Sequence, residues 1–295
     1  MNLSLSRSFP IAKAALAAAV IACVVALTCS LAGCASGGTG SSSADADNTS
    51  ASTDGKTLRV AMELAYPPFE TKDDAGNPEG LAVDFIRDFG AAYGYDVQIE
   101  NTAWDGLIPS LQSDKADLVI SSMTITDERK QSVDFSDAYA MAQLAILANA
   151  DSGVASIDGL NQPGKKVAVK TGSTGDVYAT KNLTNAEIVR LADESACVTE
   201  VVQGKADGFL YDQLTLYRNH QANPDTTEAV FIPFQDAEEW GIAVKKGDTE
   251  LLDQLNAFIA QSKTDGEFDR LTEKYLADEK KAFDQYGFKW FFDFE

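Results

Sequence analysis

From Lys56 onward, strand-like runs and helix-like segments alternate, and they pass through the same rhythm twice. Leu58-Arg59-Val60-Ala61-Met62 alternates as a strand does, and Pro67-Pro68 stops it. Phe85, Ile86, Phe89 and Tyr93 recur at helical spacing, with Gly94 placed as a C-terminal cap. Asp96 to Glu100 alternates again, Leu107 to Leu111 opens a helix, and Asp117 to Ser121 is a short apolar run of the kind buried in parallel sheet. The second half repeats this with strands at Lys166 to Lys170, Glu187 to Leu191 and Gly208 to Leu210. Helices are expected from Asp176 to Lys181 and through Val201-Val202. Such alternation specifies an α/β architecture with mainly parallel sheets.

Lys115-Ala116-Asp117 and Lys205-Ala206-Asp207 each join a helix to a strand, an echo between the halves. Polar residues follow both strands: Ser121-Ser122-Met123-Thr124 and Tyr211-Asp212. Open α/β sheets bind ligands at the carboxyl ends of their strands, so two such halves can enclose one ligand.

Arg7 and Lys13 precede an apolar run from Ala14 to Leu27, the pattern of a secretory signal. Leu31-Ala32-Gly33-Cys34 resembles a bacterial lipobox, which implies cleavage before Cys34 and lipidation of that cysteine. Residues 1–33 are therefore expected to be a signal peptide and 34–55 a lipidated cysteine with a flexible linker, since 35–55 has no large apolar side chain. The expectation is an exported chain, anchored by lipid to the outer face of the cell membrane on its periplasmic or extracellular side. Only Cys197 lies in the folded part, which forbids a disulfide there, and nothing basic flanks it to activate the thiol.

The folded part carries 22 basic against 42 acidic residues, which argues against nucleic acid as a partner. His220 is the only histidine, in the polar stretch 219–223 that reads as a solvated loop. No two-histidine metal site is possible, and neither a metal nor a cofactor is expected.

Thr126-Asp127-Glu128-Arg129 reads as a helix start, with Thr126 as N-cap and Arg129 in the first turn. A guanidinium there suits a carboxylate, as it does a neighbouring surface acid. Lys170-Thr171-Gly172-Ser173-Thr174-Gly175 joins a strand to a helix and can aim backbone N–H groups at an anion, or be a plain turn. Asp212 at a strand end can attract an ammonium group or cap the next helix. Tyr66 and Trp104 suit either the core or an apolar stem of a ligand.

These segments resemble the bacterial extracellular solute-binding proteins that serve polar amino acid ABC transporters. The likeness rests on Tyr66-Pro67-Pro68-Phe69-Glu70, Gly80-Leu81-Ala82-Val83-Asp84, Trp104 to Leu111, Met123 to Arg129, Val133-Asp134-Phe135-Ser136, Gly172-Ser173-Thr174-Gly175 and Trp240 to Asp248. The resemblance implies a type II periplasmic-binding-protein fold: two α/β lobes with mainly parallel sheets joined by a two-strand hinge near 141–143 and 238–240. Lobe 1 would be 56–143 plus 236–280, lobe 2 would be 144–235, and 281–295 a C-terminal tail for which the sequence offers no role. It further implies a monomer, not an enzyme, that delivers a free amino acid to an ABC transporter permease.

By the same resemblance Arg129 holds the ligand carboxylate, with backbone N–H groups at Thr124 and Thr174 and with Ser173 in the same turn. Asp212 holds the α-ammonium with the Ser122 carbonyl and the Thr124 hydroxyl. Tyr66 and Trp104 line the side-chain pocket, and Glu63 and Lys170 read the side chain. Leu81-Ala82 and Glu63 depart from the family pattern, which usually has Phe-Asp and Asp there. If Glu63 and Lys170 pair with each other, a neutral glutamine-like ligand is expected. A Lys or Arg ligand is the competitor, and a dehydratase of the cyclohexadienyl type, with Glu63, Lys170 or Asp212 as general acid, is the enzymatic alternative.

Overall fold

The computed structural model describes residues 55–286 and 289–294; the signal, lipobox and linker assignments lie outside the described residues. Its first sheet starts with β1 (Lys56–Met62), followed by a small hairpin of β2 (Thr71–Lys72) and β3 (Pro78–Glu79). Helix α1 (Leu81–Tyr93) buries Phe85, Ile86 and Phe89 and ends where Gly94 adopts the left-handed conformation (φ 73°) that a glycine accepts without strain. Tyr93, at the same helical spacing, is left exposed at the end of that face. Next come β4 (Tyr95–Asn101), α2 (Leu107–Gln112), β5 (Leu118–Val119) and β6 (Val133–Phe135).

The chain leaves through β7 (Ala140–Ala142) and enters a second sheet with β8 (Leu144–Asn149). There follow α3 (Ile157–Leu160), β9 (Lys166–Lys170), α4 (Thr174–Asn182), β10 (Glu187–Leu191), α5 (Glu194–Val202), β11 (Gly208–Asp212), α6 (Gln213–Ala222) and β12 (Thr227–Val230). It returns through β13 (Glu238–Trp240), completes the first sheet with β14 (Ala243–Lys245), and ends in α7 (Thr249–Ser262), α8 (Glu267–Tyr275) and α9 (Ala277–Tyr286).

The strand orders are β4-β1-β5-β14-β6 and β10-β9-β11-β8-β12. In each sheet the first three strands are parallel, and the strand that crosses between sheets is antiparallel to its neighbours. The two crossings pair with each other as β7 and β13, a two-stranded antiparallel ribbon. This is the type II arrangement of two α/β lobes on a two-strand hinge.

The sequence echo is a structural repeat. The Asp117 carboxylate accepts from the Arg59 backbone N–H at 2.8 Å, and the Asp207 carboxylate from that of Lys166 at 2.8 Å, reaching β1 in the first sheet and β9 in the second. The backbone N–H groups of the same two aspartates donate to Arg59 O and Lys166 O. Arg59 and Lys165 close each clip with an ion pair.

Apolar layers cover both faces of each sheet. Phe85, Phe89, Ile120 and Leu255 pack on one face of the first, and Leu107, Leu111 and Val133 on the other. Cys197, Val201 and Phe209 line one face of the second, Leu160, Val167 and Leu210 the other. Burial pushes the Cys197 thiol up to about 12, so it stays protonated. His220 lies in α6, not in a loop: its neighbours 213–219 extend the helix through the polar stretch, and Nδ1 sits 3.2 Å from Thr227 Oγ1. Among the described residues no helix is long and apolar enough to cross a membrane.

The C-terminal tail is core. Trp290 and Phe291 are buried in the layer that holds Phe69, Trp240 and Phe283, with the Phe291 ring 5.1 Å from that of Phe69. The Phe291 carbonyl accepts from the Met141 N–H at 2.6 Å, fastening the tail to β7. Phe291→Ala is expected to lower unfolding free energy by about 3–5 kcal/mol, the usual cost of emptying a buried aromatic site, measured by urea denaturation.

Candidate functional site

A small cavity lies between the sheets, where the carboxyl ends of parallel strands from both converge. Glu63 and Tyr66 follow β1, Trp104 follows β4, and Ser122 and Thr124 follow β5. From the other side come Ser173 and Thr174 after β9, Glu194 after β10, and Asp212 at the end of β11. Glu238 and Trp240 enter from the hinge strand β13.

Nine of the ten candidate residues line this cavity: Glu63, Tyr66, Trp104, Ser122, Thr124, Arg129, Ser173, Thr174 and Asp212. The tenth, Lys170, stands behind the wall, buried, with its ammonium group bonded to Glu63 and, at 3.0 Å, to Glu194 Oε1. Lys170 thus has two carboxylates, not the single partner expected. Tyr211 Oη also donates to Glu194 Oε1, at 2.6 Å. Burial opposes charge on Lys170, but Glu194 and Glu63 outweigh it and hold the ammonium above its ordinary range.

Arg129 follows Thr126, whose hydroxyl accepts the Arg129 N–H at 3.2 Å. The capping is as expected, but the helix is only a single 3₁₀ turn over Arg129–Gln131. That turn aims the guanidinium back at the cavity. Nη1 donates to Thr124 O at 2.7 Å and Nη2 to Gly172 O at 3.2 Å, a bond between the lobes. The guanidinium carbon lies 5.2 Å from the centre of the Trp104 ring, and Lys170 Nζ 5.0 Å from it, so the ring serves two cations.

Two glycines make the Gly172–Gly175 turn possible. Gly172 has φ 74°, which disfavours other residues, and a Cβ on Gly175 would meet the Leu210 carbonyl oxygen at 2.4 Å. Ser173 Oγ caps α4 by accepting the Asp176 N–H at 3.2 Å. Ser122 holds φ 46°, a left-handed backbone at a non-glycine residue, and its hydroxyl donates to Glu70 at 3.2 Å.

The capping reading of Asp212 holds: its Oδ1 accepts the N–H groups of Leu214 and Thr215 and caps α6, Oδ2 accepts Thr215 Oγ1 at 2.8 Å, and the residue lines the cavity. Burial raises its carboxyl to about 6, partly offset by these bonds.

Sequence reasoning missed three carboxylates. Glu70 is 1% exposed, and burial pushes its carboxyl well above the ordinary carboxylate range. Glu194 starts α5, and the acid-first-turn pattern gave no hint that it turns inward. Glu238 accepts Thr124 Oγ1 at 2.9 Å and Thr174 Oγ1 at 2.7 Å, one hydroxyl from each side of the cleft. Only its place on the crossing strand signals it. Five carboxyl groups, Glu63, Glu70, Glu194, Asp212 and Glu238, thus stand around two cations, Arg129 and Lys170. Among the described residues no cluster of His, Cys, Asp and Glu has the geometry to hold a metal ion.

A family model for bacterial extracellular solute-binding proteins, family 3, matches residues 58–278. The chain is 36% identical to a probable histidine-binding protein of Neisseria gonorrhoeae, over 86% of this chain and 94% of that one. It is 34% identical to the L-arginine-binding protein of Pseudomonas aeruginosa, over 79% and 90%. Among solved structures it resembles an ancestral amino acid-binding protein described as a precursor of cyclohexadienyl dehydratase, at 38% identity and TM-score 0.68, over 74% of this chain and 94% of that one.

Lys170→Met is expected to strand Glu63 and Glu194 in the interior and to cost about 3 kcal/mol of stability. Without the cation, the burial that already raises the Glu63 carboxyl is unopposed by Lys170, so the loss is smallest near pH 4 and grows as pH rises toward 8, measured by urea denaturation across that range.

Proposed function

Since the chain belongs to the bacterial extracellular solute-binding proteins of family 3, we propose that it captures a free cationic amino acid and hands it to an ABC importer. The observation that carries the cationic reading is the excess of carboxylate around the cavity. A zwitterion engages Arg129 through its carboxylate and Asp212 through its ammonium. Glu63, Lys170 and Glu194 then form a triad with one net negative charge, and Glu238 adds another. A ligand side chain bearing a positive charge balances that field, and an acidic one opposes it.

Tyr66 and Trp104 flank the path of the side chain, and Ser173, Thr174, Ser122 and Thr124 supply hydrogen bonds around the two ends. The related histidine- and arginine-binding proteins support this direction. The carboxamide reading keeps one point in its favour: Glu63 and Lys170 present an acceptor and a donor side by side, which fits a glutamine-like amide. An enzymatic role has weaker support. A dehydratase needs a free general acid, and here Lys170 and Glu63 neutralise each other, while Asp212 is held by its own helix cap.

The working unit is a monomer, exported and held at the membrane surface by lipid on Cys34, with lobe 1 at 56–143 plus 236–280 and lobe 2 at 144–235 closing over the ligand about the β7–β13 hinge.

Calorimetry against the twenty amino acids is expected to rank arginine, lysine or histidine first and aspartate and glutamate last. Tightest binding to glutamine would replace the cationic assignment by the carboxamide one. Arg129→Ala is expected to abolish binding of every member of the panel. Because Asp212 must be ionised to hold an ammonium, affinity is expected to be flat above pH 7 and to fall by up to about tenfold per pH unit below about 6.

A further inference from the structure

The C-terminal helix α9 and the tail after it reach beyond the family match, which ends at residue 278. They touch both lobes. On the first-lobe side, Phe291 packs on Phe69 and Trp240, and its carbonyl binds the hinge strand β7 through Met141. On the second-lobe side, α9 meets α6. The Phe283 ring stands edge-on to Tyr217 with centroids 5.9 Å apart. Arg218 Nε lies 3.3 Å from Glu279 Oε1, and the Glu279 side chain is largely buried. Arg218 Nη1 also donates to Pro67 O at 2.8 Å, beside Tyr66 in the cavity wall.

Helix α6 is the one that Asp212 caps, so whatever fixes the axis of α6 fixes that carboxylate. Two aromatic contacts carry the constraint further: Phe69 stacks on Tyr66 at 5.6 Å, and Trp240 meets Tyr66 edge-on at 5.9 Å. One end of the C-terminal segment therefore bears on the aromatic wall of the cavity and the other on the helix behind its acid. The contacts with α6 span the lobes, so opening the cleft must either break them or carry α9 along.

We propose that α9 and the aromatic tail are a strap across the back of the hinge, with Glu279 and Phe283 as positioning residues for Asp212. The strap biases the free protein toward the closed arrangement and sets ligand affinity without touching ligand. This rests on the reading of Asp212 as the ammonium-binding group.

The test uses the full chain with Glu279→Arg, which sets two cations against each other, and the exchanged pair Arg218→Glu with Glu279→Arg, which restores the attraction. The amide protons of Leu214 and Thr215, bonded to Asp212, report on α6 by hydrogen exchange without any ligand. Glu279→Arg is expected to speed their exchange and to weaken binding of the preferred amino acid by about fivefold or more, with the far amides of β10 unchanged. The exchanged pair is expected to recover most of both effects. Exchange at Leu214 and Thr215 within twofold of the parent, in a folded Glu279→Arg protein, overturns the strap. So does failure of the exchanged pair to recover either quantity. If the parent binds no amino acid, the function is wrong, while the exchange result still decides whether the strap constrains α6.

Discussion

One ammonium group, withdrawn almost wholly from water, organises the centre of this molecule. Lys170 comes from the second sheet, Glu63 from the first, and Glu194 from the helix beside Lys170. A charge so placed is tolerable only while its counter-charges are in reach, so the triad holds the facing sheets in one relation. The Trp104 ring covers the same ammonium and the Arg129 guanidinium, so one aromatic ring joins the two cations.

Much of this was legible from the chain alone, because short strands and amphipathic helices carry their own periodicity. The Lys-Ala-Asp echo was legible too, and its cause is now plain: each aspartate clips a neighbouring parallel strand, β1 or β9, with the same pair of backbone bonds. Asp212 stands at a strand end and Arg129 in the connection that follows one, where position implies access to a cleft. Glu194, Glu238 and Glu70 were not legible, since an acid in a first helical turn or on a hinge strand looks identical whether it faces water or a cavity. Their inward turn follows from tertiary partners, Lys170 and Tyr211 for one and Thr124 and Thr174 for another. The charge balance on which the proposed cationic ligand rests could be judged only once those partners were known.

The tail shows the converse. Its aromatic residues, Trp290 and Phe291, announce burial but not where, because aromatic character has no direction in sequence. The structure seats them against the hinge and against Phe69, one ring removed from Tyr66. A segment that follows the shared body of the family has become part of the wall behind its cavity.

The returning strand β14 has a consequence for biogenesis. It lies between β5 and β6 in the first sheet, although the chain synthesises the whole second sheet before reaching it. As the polypeptide emerges, the first sheet waits with an unfilled slot for roughly a hundred residues, while its companion has every strand in hand. The middle of the chain therefore holds every strand of its sheet before the first sheet does, and the first sheet leaves β5 and β6 without the strand between them during that interval. A secreted chain of this topology gains from any factor that keeps it extended until its last third has left the ribosome.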